Sequence, residues 1–555
     1  MVVEAGVRIL DPDAGLLEVT TFPGRGGRGD VPKGRDIEEV KAGTDLEGIW
    51  AKIVGWSESG WESIPEDEMN LTKWYGLFYR KPTPGYFMIR TRVTGGVLHA
   101  GNYRSEQLRE LADITREYGR DIMDFTVRQQ VELRWIRIED FPGIFARLRS
   151  VGLDSRQTGM DNIRGVTQCP VAGLAEDEVI ETRDLVKEMT AAFVGNWRYA
   201  NLPRKFNIAI TGCRDNCAHC ETNDIGFNPA TKDGATGFNI RVGGGEGAWG
   251  RQHAWPFDAF VKSHEVVETG LKILDVFLEN GKRGKRNKAR MKFLIDEWGI
   301  ERFREEVAKR LPFELRPAGD DLTRDGGPRD HVGVHRQKEP GLYYVGLCAP
   351  TGRVQLDRAY ELCRIAEEYG NGEIRLTTYQ NPILPNVPED RLEELLAEPL
   401  LKDMTPYPNP FVRGLVTCTG KSFCPFALIE TKDRGLELAE YLDEKLGAEV
   451  QEKLGIFYIH TSGCTNSCAR PHAGQIGLIG KQLKKDGERV EGANVMLGGH
   501  QGLFEAGFNE PWETKVPFEE MGPKLEKVIR AYLDERGGDE TFRDWCLRRE
   551  MVEIG

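Results

Sequence analysis

The sequence has no run of about 18 apolar residues, which leaves no candidate for a membrane-spanning helix. It has no basic excess: 75 Lys+Arg against 88 Asp+Glu give a formal net charge of −13, which argues against general binding to a phosphate backbone. The first residues, Met1-Val2-Val3-Glu4-Ala5-Gly6-Val7-Arg8, lack the basic segment and apolar run of a secretory signal, so a cytoplasmic protein is expected. The 11 cysteines are an odd number in a 555-residue chain, unlike the short, even frameworks of secreted disulfide proteins. A dinucleotide fingerprint is also missing, since Gly243-Gly244-Gly245-Glu246-Gly247 lacks the strand, helix and acidic residue that would make it one. At 39% hydrophobic and 29% charged, the composition supports real cores and excludes a disordered chain.

What is present is a repeat. Glu117-Tyr118-Gly119 returns 251 residues later as Glu368-Tyr369-Gly370, and Thr126-Val127-Arg128-Gln129 as Thr377-Thr378-Tyr379-Gln380. Gly212-Cys213-Arg214-Asp215-Asn216-Cys217 returns as Gly463-Cys464-Thr465-Asn466-Ser467-Cys468, and Ile225-Gly226 as Ile476-Gly477. Matches in one register and one order imply a duplicated α/β unit with a pseudo-two-fold. Each copy starts with an extended segment (Tyr86 to Val93; Leu342 to Cys348), then a glycine turn, a helix and a strand. In the first helix Ser105 is the expected cap, Leu108, Leu111, Ala112 and Thr115 follow helical spacing, and Gly119 stops it. Residues 1–45 read as an irregular Gly-rich extension and 318–340 as a linker. A basic stretch from Lys282 to Lys292 reads as a solvated helix face or as an anion site.

The second half holds Cys418 and Cys424 with five intervening residues, then Cys464 and Cys468 with three. Zinc pairs usually stand closer, whereas four thiolates suit a [4Fe–4S] cluster, with Gly420 and Gly463 turning backbone amides toward it. Structural zinc and buried unbound cysteines stay open on spacing alone. The first half has Cys169, Cys213, Cys217 and Cys220, which could hold a second metal site or be modified; Cys348, Cys363 and Cys546 read as packed cysteines.

Cys-Thr-Gly-x-x-x-Cys followed by Gly-Cys-x-Asn-x-Cys resembles the signature of ferredoxin-dependent nitrite and sulfite reductases, closest to the assimilatory nitrite branch. Phe87-Met88-Ile89-Arg90, Met160-Asp161-Asn162-Ile163-Arg164, Asn201 to Asn207, Pro229 to Gly234, Lys288-Ala289-Arg290-Met291-Lys292 and Thr377-Thr378-Tyr379-Gln380-Asn381 extend the similarity over roughly residues 70 to 530.

The resemblance implies an α+β (mixed α/β), internally duplicated siroheme reductase fold: an extension (1–80), ferredoxin-like repeats (81–155 and 340–405) joined in one domain, a first siroheme lobe (156–339), and a second lobe carrying cluster and siroheme (406–555). It implies two cofactors, siroheme and a [4Fe–4S] cluster held by Cys418, Cys424, Cys464 and Cys468, with Cys468 also the axial ligand of the siroheme iron. Siroheme's carboxylates, ionised at pH 7, call for cations and donors. The matching positions are Arg128, Gln129, Lys232, Lys288, Arg290, Lys292, Gln380 and Asn381, with Asn466 placed to donate to a cluster sulfide or the siroheme edge. Arg90, Arg164 and Lys205 match the catalytic basic cluster, and Asn207 stands where a sulfite reductase is expected to carry a second lysine. The first-half cysteines have no ligand role in that pattern, and His219 among them reads as a polar loop histidine. The expected activity is six-electron reduction of nitrite to ammonia in nitrogen assimilation, with ferredoxin as donor to a monomer. Assimilatory sulfite reduction is the alternative within the family, and a non-catalytic zinc or cluster-bearing protein the alternative outside it.

Overall fold

The computed structural model describes residues 36–80, 82–98, 105–247, 250–485 and 487–549. Its centre is a pair of five-stranded antiparallel sheets that trade an edge strand. One runs Leu77–Tyr79, Tyr86–Arg90, Val131–Arg137, Ile122–Phe125 and then Arg353–Gln355, the last from the second repeat. The other runs Gly333–Arg336, Leu342–Gly346, Pro382–Pro388, Ile374–Leu376 and then Val97–Leu98, the last from the first repeat. Arg353 pairs with Asp124, and Ile374 with Leu98. The helices Glu106–Tyr118 and Leu356–Tyr369 pack on each other, and Leu108, Leu111, Phe125, Leu362, Ile365 and Leu376 share one core. Each such side chain contributes about 1.5–3 kcal/mol by burial, so the repeats are one folding unit rather than two.

The duplication is written into the backbone. Left-handed φ values recur 251 residues apart at Asp121 and Gly372, Gln129 and Gln380, Trp135 and Asn386, Asn216 and Ser467, and His219 and Arg470. Such values are uncommon outside glycine, and their recurrence follows from two copies of the same tight turns.

Each repeat feeds a lobe with its own core. In the first lobe Thr167–Gln168, Ile208–Ile210 and Ile225–Lys232 lie parallel, and Ala235–Val242 and Trp255–Val261 complete the sheet antiparallel. In the second, Leu415–Thr417, Ile459–Ser462 and Ile476–Lys485 are parallel and Glu488–Leu497 and Glu510–Pro517 antiparallel. Cys169 and Cys213 follow the ends of the first two parallel strands of one lobe, and Cys418 and Cys464 those of the other. Ligands collect at the carboxyl ends of parallel strands, and this topology puts both sets of cysteines there.

Three local expectations change. Residues 36–45 are not irregular: Ile37–Ala42 is a helix closed by a capping box between Asp36 and Glu39. Residues 1–35 of the expected extension lie outside the described residues. The linker 318–340 is partly sheet, because Asp320–Asp321 pairs with Ile225–Lys232 and Gly333–Arg336 with Leu342–Gly346. The Ser105 hydroxyl leaves its helix uncapped and bonds Glu367 of the facing repeat.

Candidate active site

The four second-half cysteines converge from two loops. Each charge acts on the others, yet no three of the sulfurs form a grouping within 4.8 Å, the separation that would suit one ion. The cradle is therefore too wide for a single zinc and suits a multi-iron cluster. Backbone amides are aimed at it. Gly463 N–H donates to Cys418 Sγ at 3.1 Å, and the N–H groups of Phe426 and Ala427 near Cys424 and of Asn466 near Cys464 favour the thiolate forms. Gly420 holds φ +74°, and a Cβ there would meet Thr431 and Glu430 within about 3 Å. Burial pushes Cys424 and Cys464 up to about 11, so thiolates in this cradle need the positive charge of metal to form.

Cys418 and Cys468 also line a partly open cavity of about 180 Å³. Eight cations line it: Arg90, Arg128, Arg134, Arg164, Lys205, Arg290, Lys432 and Arg470. Three carboxylates face them: Asp124, Glu132 and Glu246. Some of the cations are paired within the protein. Arg90 donates to Glu132 at 2.6 and 2.8 Å, Arg290 to Asp224 at 2.6 and 3.1 Å, and Arg134 to both Asp124 and Glu132. Arg128, Arg164, Lys205 and Arg470 have no carboxylate within 4.0 Å among the described residues. Arg128 donates to Asn223 Oδ1 (2.9 Å) and Gly165 O (2.7 Å), Arg164 to Met160 O (2.8 Å), and Arg470 to Thr378 O (3.1 Å). The Nε–H groups of Arg128 and Arg470 are buried with no partner. Burial, with other arginines nearby, lowers Arg128 to about 9 and Arg164 well below an ordinary guanidinium. Uncompensated buried cations are costly unless anions meet them, and siroheme brings eight carboxylates, so the lining fits that group.

Of the residues read from sequence, Arg90, Arg128, Arg164, Lys205, Asn207, Arg290, Gln380, Asn466, Cys418 and Cys468 line the cavity, whereas Gln129, Lys232, Lys288, Lys292 and Asn381 do not. Gln129 bonds Gln168 N–H (3.0 Å) and Leu376 O (2.9 Å), and Gln380 does the same in the other half with Thr417 N–H and Phe125 O, both at 3.0 Å. Asn381 accepts from Ala349 N–H, and Lys232 donates to Ala318 O. The basic stretch divides: Lys288 is exposed, Lys292 bonds the carbonyls of Gly245 and Gly250, Arg283 pairs with Glu38, and Arg286 with Asp161. Only Arg290 of that stretch enters the cavity wall.

Sequence reasoning missed Glu132, Asp224 and Arg470. Arg470 had a signal, standing two residues beyond Cys468 in the duplicated loop, whereas the carboxylates had none apart from tertiary pairing. The loop histidine His219 is buried in the cavity wall, 3.3 Å from Thr378 Oγ1.

Residues 159–315 and 409–551 match the nitrite and sulphite reductase 4Fe-4S domain, and residues 79–151 and 335–401 the nitrite/sulfite reductase ferredoxin-like half domain. The chain belongs to the ferredoxin-dependent nitrite and sulfite reductase family. It is 44% identical to the ferredoxin–nitrite reductase of Synechococcus elongatus, over 91% of this chain and 97% of that one. It is 39% identical to the assimilatory ferredoxin-dependent nitrite reductase of Haloferax mediterranei, over 92% and 90% of the two chains. The solved structure of the Mycobacterium tuberculosis NirA protein superposes with a TM-score of 0.86 at 31% identity, covering 93% of this chain and 97% of that one. The family's cofactors are siroheme and a [4Fe–4S] cluster.

Proposed function

We propose that this chain reduces nitrite to ammonium, NO₂⁻ + 6 e⁻ + 8 H⁺ → NH₄⁺ + 2 H₂O, with electrons from ferredoxin. The observation that carries the reading is one cavity in which two cluster thiols, Cys418 and Cys468, share a wall with the unpaired cations Arg128, Arg164 and Lys205. The names of the relatives point the same way. When bound, siroheme and the cluster supply single electrons to the substrate.

The protein's own groups do the rest. Arg128, Arg290 and Arg470 hold cofactor carboxylates, while Arg90, Arg164 and Lys205 hold the anionic substrate. Glu132 fixes the Arg90 guanidinium through two hydrogen bonds and accepts from Thr419 at 3.0 Å, tying that arginine to the loop of Cys418. Burial and the neighbouring Arg290 lower Lys205 to about 7, a value at which an ammonium both forms and gives up its proton readily. Asn207 offers a neutral amide where a lysine would add charge, which suits a mono-anion better than sulfite. Its backbone N–H is anchored on Asp224 at 2.8 Å.

Cys468 would serve as a ligand to both cofactors, with Cys418, Cys424 and Cys464 holding the rest of the cluster. The four-part division of the chain given above, a monomeric state and a cytoplasmic location complete the proposal. Among the described residues no helix is long and apolar enough to cross a membrane. Cys468→Ser tests the assignment, because an alcohol is a poor bridging ligand. The siroheme absorption should be lost or strongly shifted and nitrite turnover abolished. A normal spectrum with full turnover would remove Cys468 from that role.

A further inference from the structure

The first lobe contains a second convergence of ligands. Cys169, Cys217 and His331 are fully buried, and their ligand atoms all lie within 4.8 Å of one another. Cys217 Sγ is 3.1 Å from His331 Nε2 and 3.9 Å from Cys213 Sγ. A tetrahedron with 2.3 Å zinc–sulfur bonds has sulfur–sulfur edges of roughly 3.8 Å, so the spacing of Cys169, Cys217 and His331 suits one ion and is tighter than the cluster cradle, while Cys213 stands beside Cys217 but outside that grouping and has to close on the ion. Two supporting groups are in place. His331 Nδ1 meets the Tyr344 hydroxyl at 3.2 Å, which orients the ring and leaves Nε2 facing the sulfurs. Arg375, 1% exposed and paired with Glu373, donates to the carbonyls of Pro170 (3.2 Å) and Ala172 (2.6 Å) in the turn that follows Cys169, and its Nη2 is buried without a partner.

The pseudo-two-fold explains the placement. Cys213 and Cys217 stand 251 residues before Cys464 and Cys468, and Cys169 follows its strand as Cys418 follows the matching one. The first lobe thus keeps three of the four cluster-ligand positions and replaces the fourth with a histidine from the segment between the halves.

We propose that Cys169, Cys213, Cys217 and His331 bind one zinc ion in a closed Cys₃His site that fixes the loop beneath the cofactor cavity. The reaction is Zn²⁺ + 3 Cys–SH + His → [Zn(Cys–S)₃(His)]⁻ + 3 H⁺, with no change of oxidation state. The ion acts on structure: Cys217 O accepts from Thr378 Oγ1 at 3.0 Å, and Ala218 and His219, the next residues, form part of the cavity wall. Cys220 is not a ligand, because its thiol points to Phe227 O at 3.5 Å.

The test is metal analysis of the holoenzyme made in zinc-supplemented medium. The expected result is about one zinc per chain beside about five irons, four for the cluster and one for siroheme. X-ray absorption at the zinc edge should show three sulfurs at about 2.3 Å and one nitrogen at about 2.0–2.1 Å. Cys217→Ser and His331→Ala should lose the zinc while keeping iron content and siroheme absorption, and Cys220→Ser should keep all three. Holoenzyme with five irons and no stoichiometric zinc would overturn the site. So would a disulfide among these cysteines, or about nine irons signalling a second cluster. The wild-type measurement decides the matter even if the variants do not fold.

Discussion

Lys205 shows how one residue type acquires a task from its surroundings. An exposed lysine stays protonated near 10.4, whereas here burial first, and the nearby Arg290 next, bring it to about 7. If its ammonium supplies protons to the bound substrate, turnover needs the protonated form, so kcat should fall as pH rises through about 7. Lys205→Ala should keep both cofactors and lose roughly 10²–10³ in rate, the usual cost of removing one aimed donor from a desolvated site. A kcat–pH profile flat from 6 to 9, or a near-normal Lys205→Ala rate, would contradict this role. At this scale the sequence pointed to Arg90, Arg164, Lys205, Asn207, Cys418, Cys424, Cys464 and Cys468 where chemistry and motif coincide, and the fold brings them to the cavity or the cradle beside it, while their roles belong to the proposal. It was silent on Glu132 and Asp224, whose importance lies in which arginine they pair with, a matter of tertiary distance and not of local pattern.

Among elements, the exchange of edge strands between the repeats is the decisive feature, and it was hidden. Val97–Leu98 and Arg353–Gln355 are too short to read as strands, and each pairs with a partner far away in sequence. The 251-residue offset was legible because tight turns need particular residues. The sheet partners were not, because two or three residues of backbone pairing leave no pattern in side chains. The two glutamines clamp this exchange: each reaches a strand of the other repeat and the end of the first parallel strand of its own lobe. Gln380→Ala leaves Thr417 N–H and Phe125 O buried without partners. That should cost about 1–3 kcal/mol, seen as a lower urea midpoint at unchanged siroheme occupancy. An unchanged midpoint would show the clamp to be dispensable. The basic stretch from Lys282 to Lys292 carries a related lesson. Read as one anion site, it is split by its turn and helix geometry among Glu38, Asp161, Asp224 and solvent, leaving Arg290 alone at the cavity.

The whole molecule separates charge. A chain of net −13 collects eight cations around one internal cavity, drawing Arg90, Arg128 and Arg134 from the first repeat, Arg164, Lys205 and Arg290 from the first lobe, and Lys432 and Arg470 from the second. No single segment builds this site, and the folded duplication is what brings its parts together. A cavity so charged fits an anionic macrocycle and an anionic substrate, and the Cys418 and Cys468 thiols in its wall fit the cluster ligation proposed above. The most direct test is the electron and nitrogen balance of the purified holoenzyme with reduced ferredoxin, after its visible spectrum has been recorded. The account predicts siroheme bands, six electrons consumed per nitrite and one ammonium formed. A spectrum without siroheme, or a balance that stops short of six electrons with nitrogen leaving as another product, would contradict it.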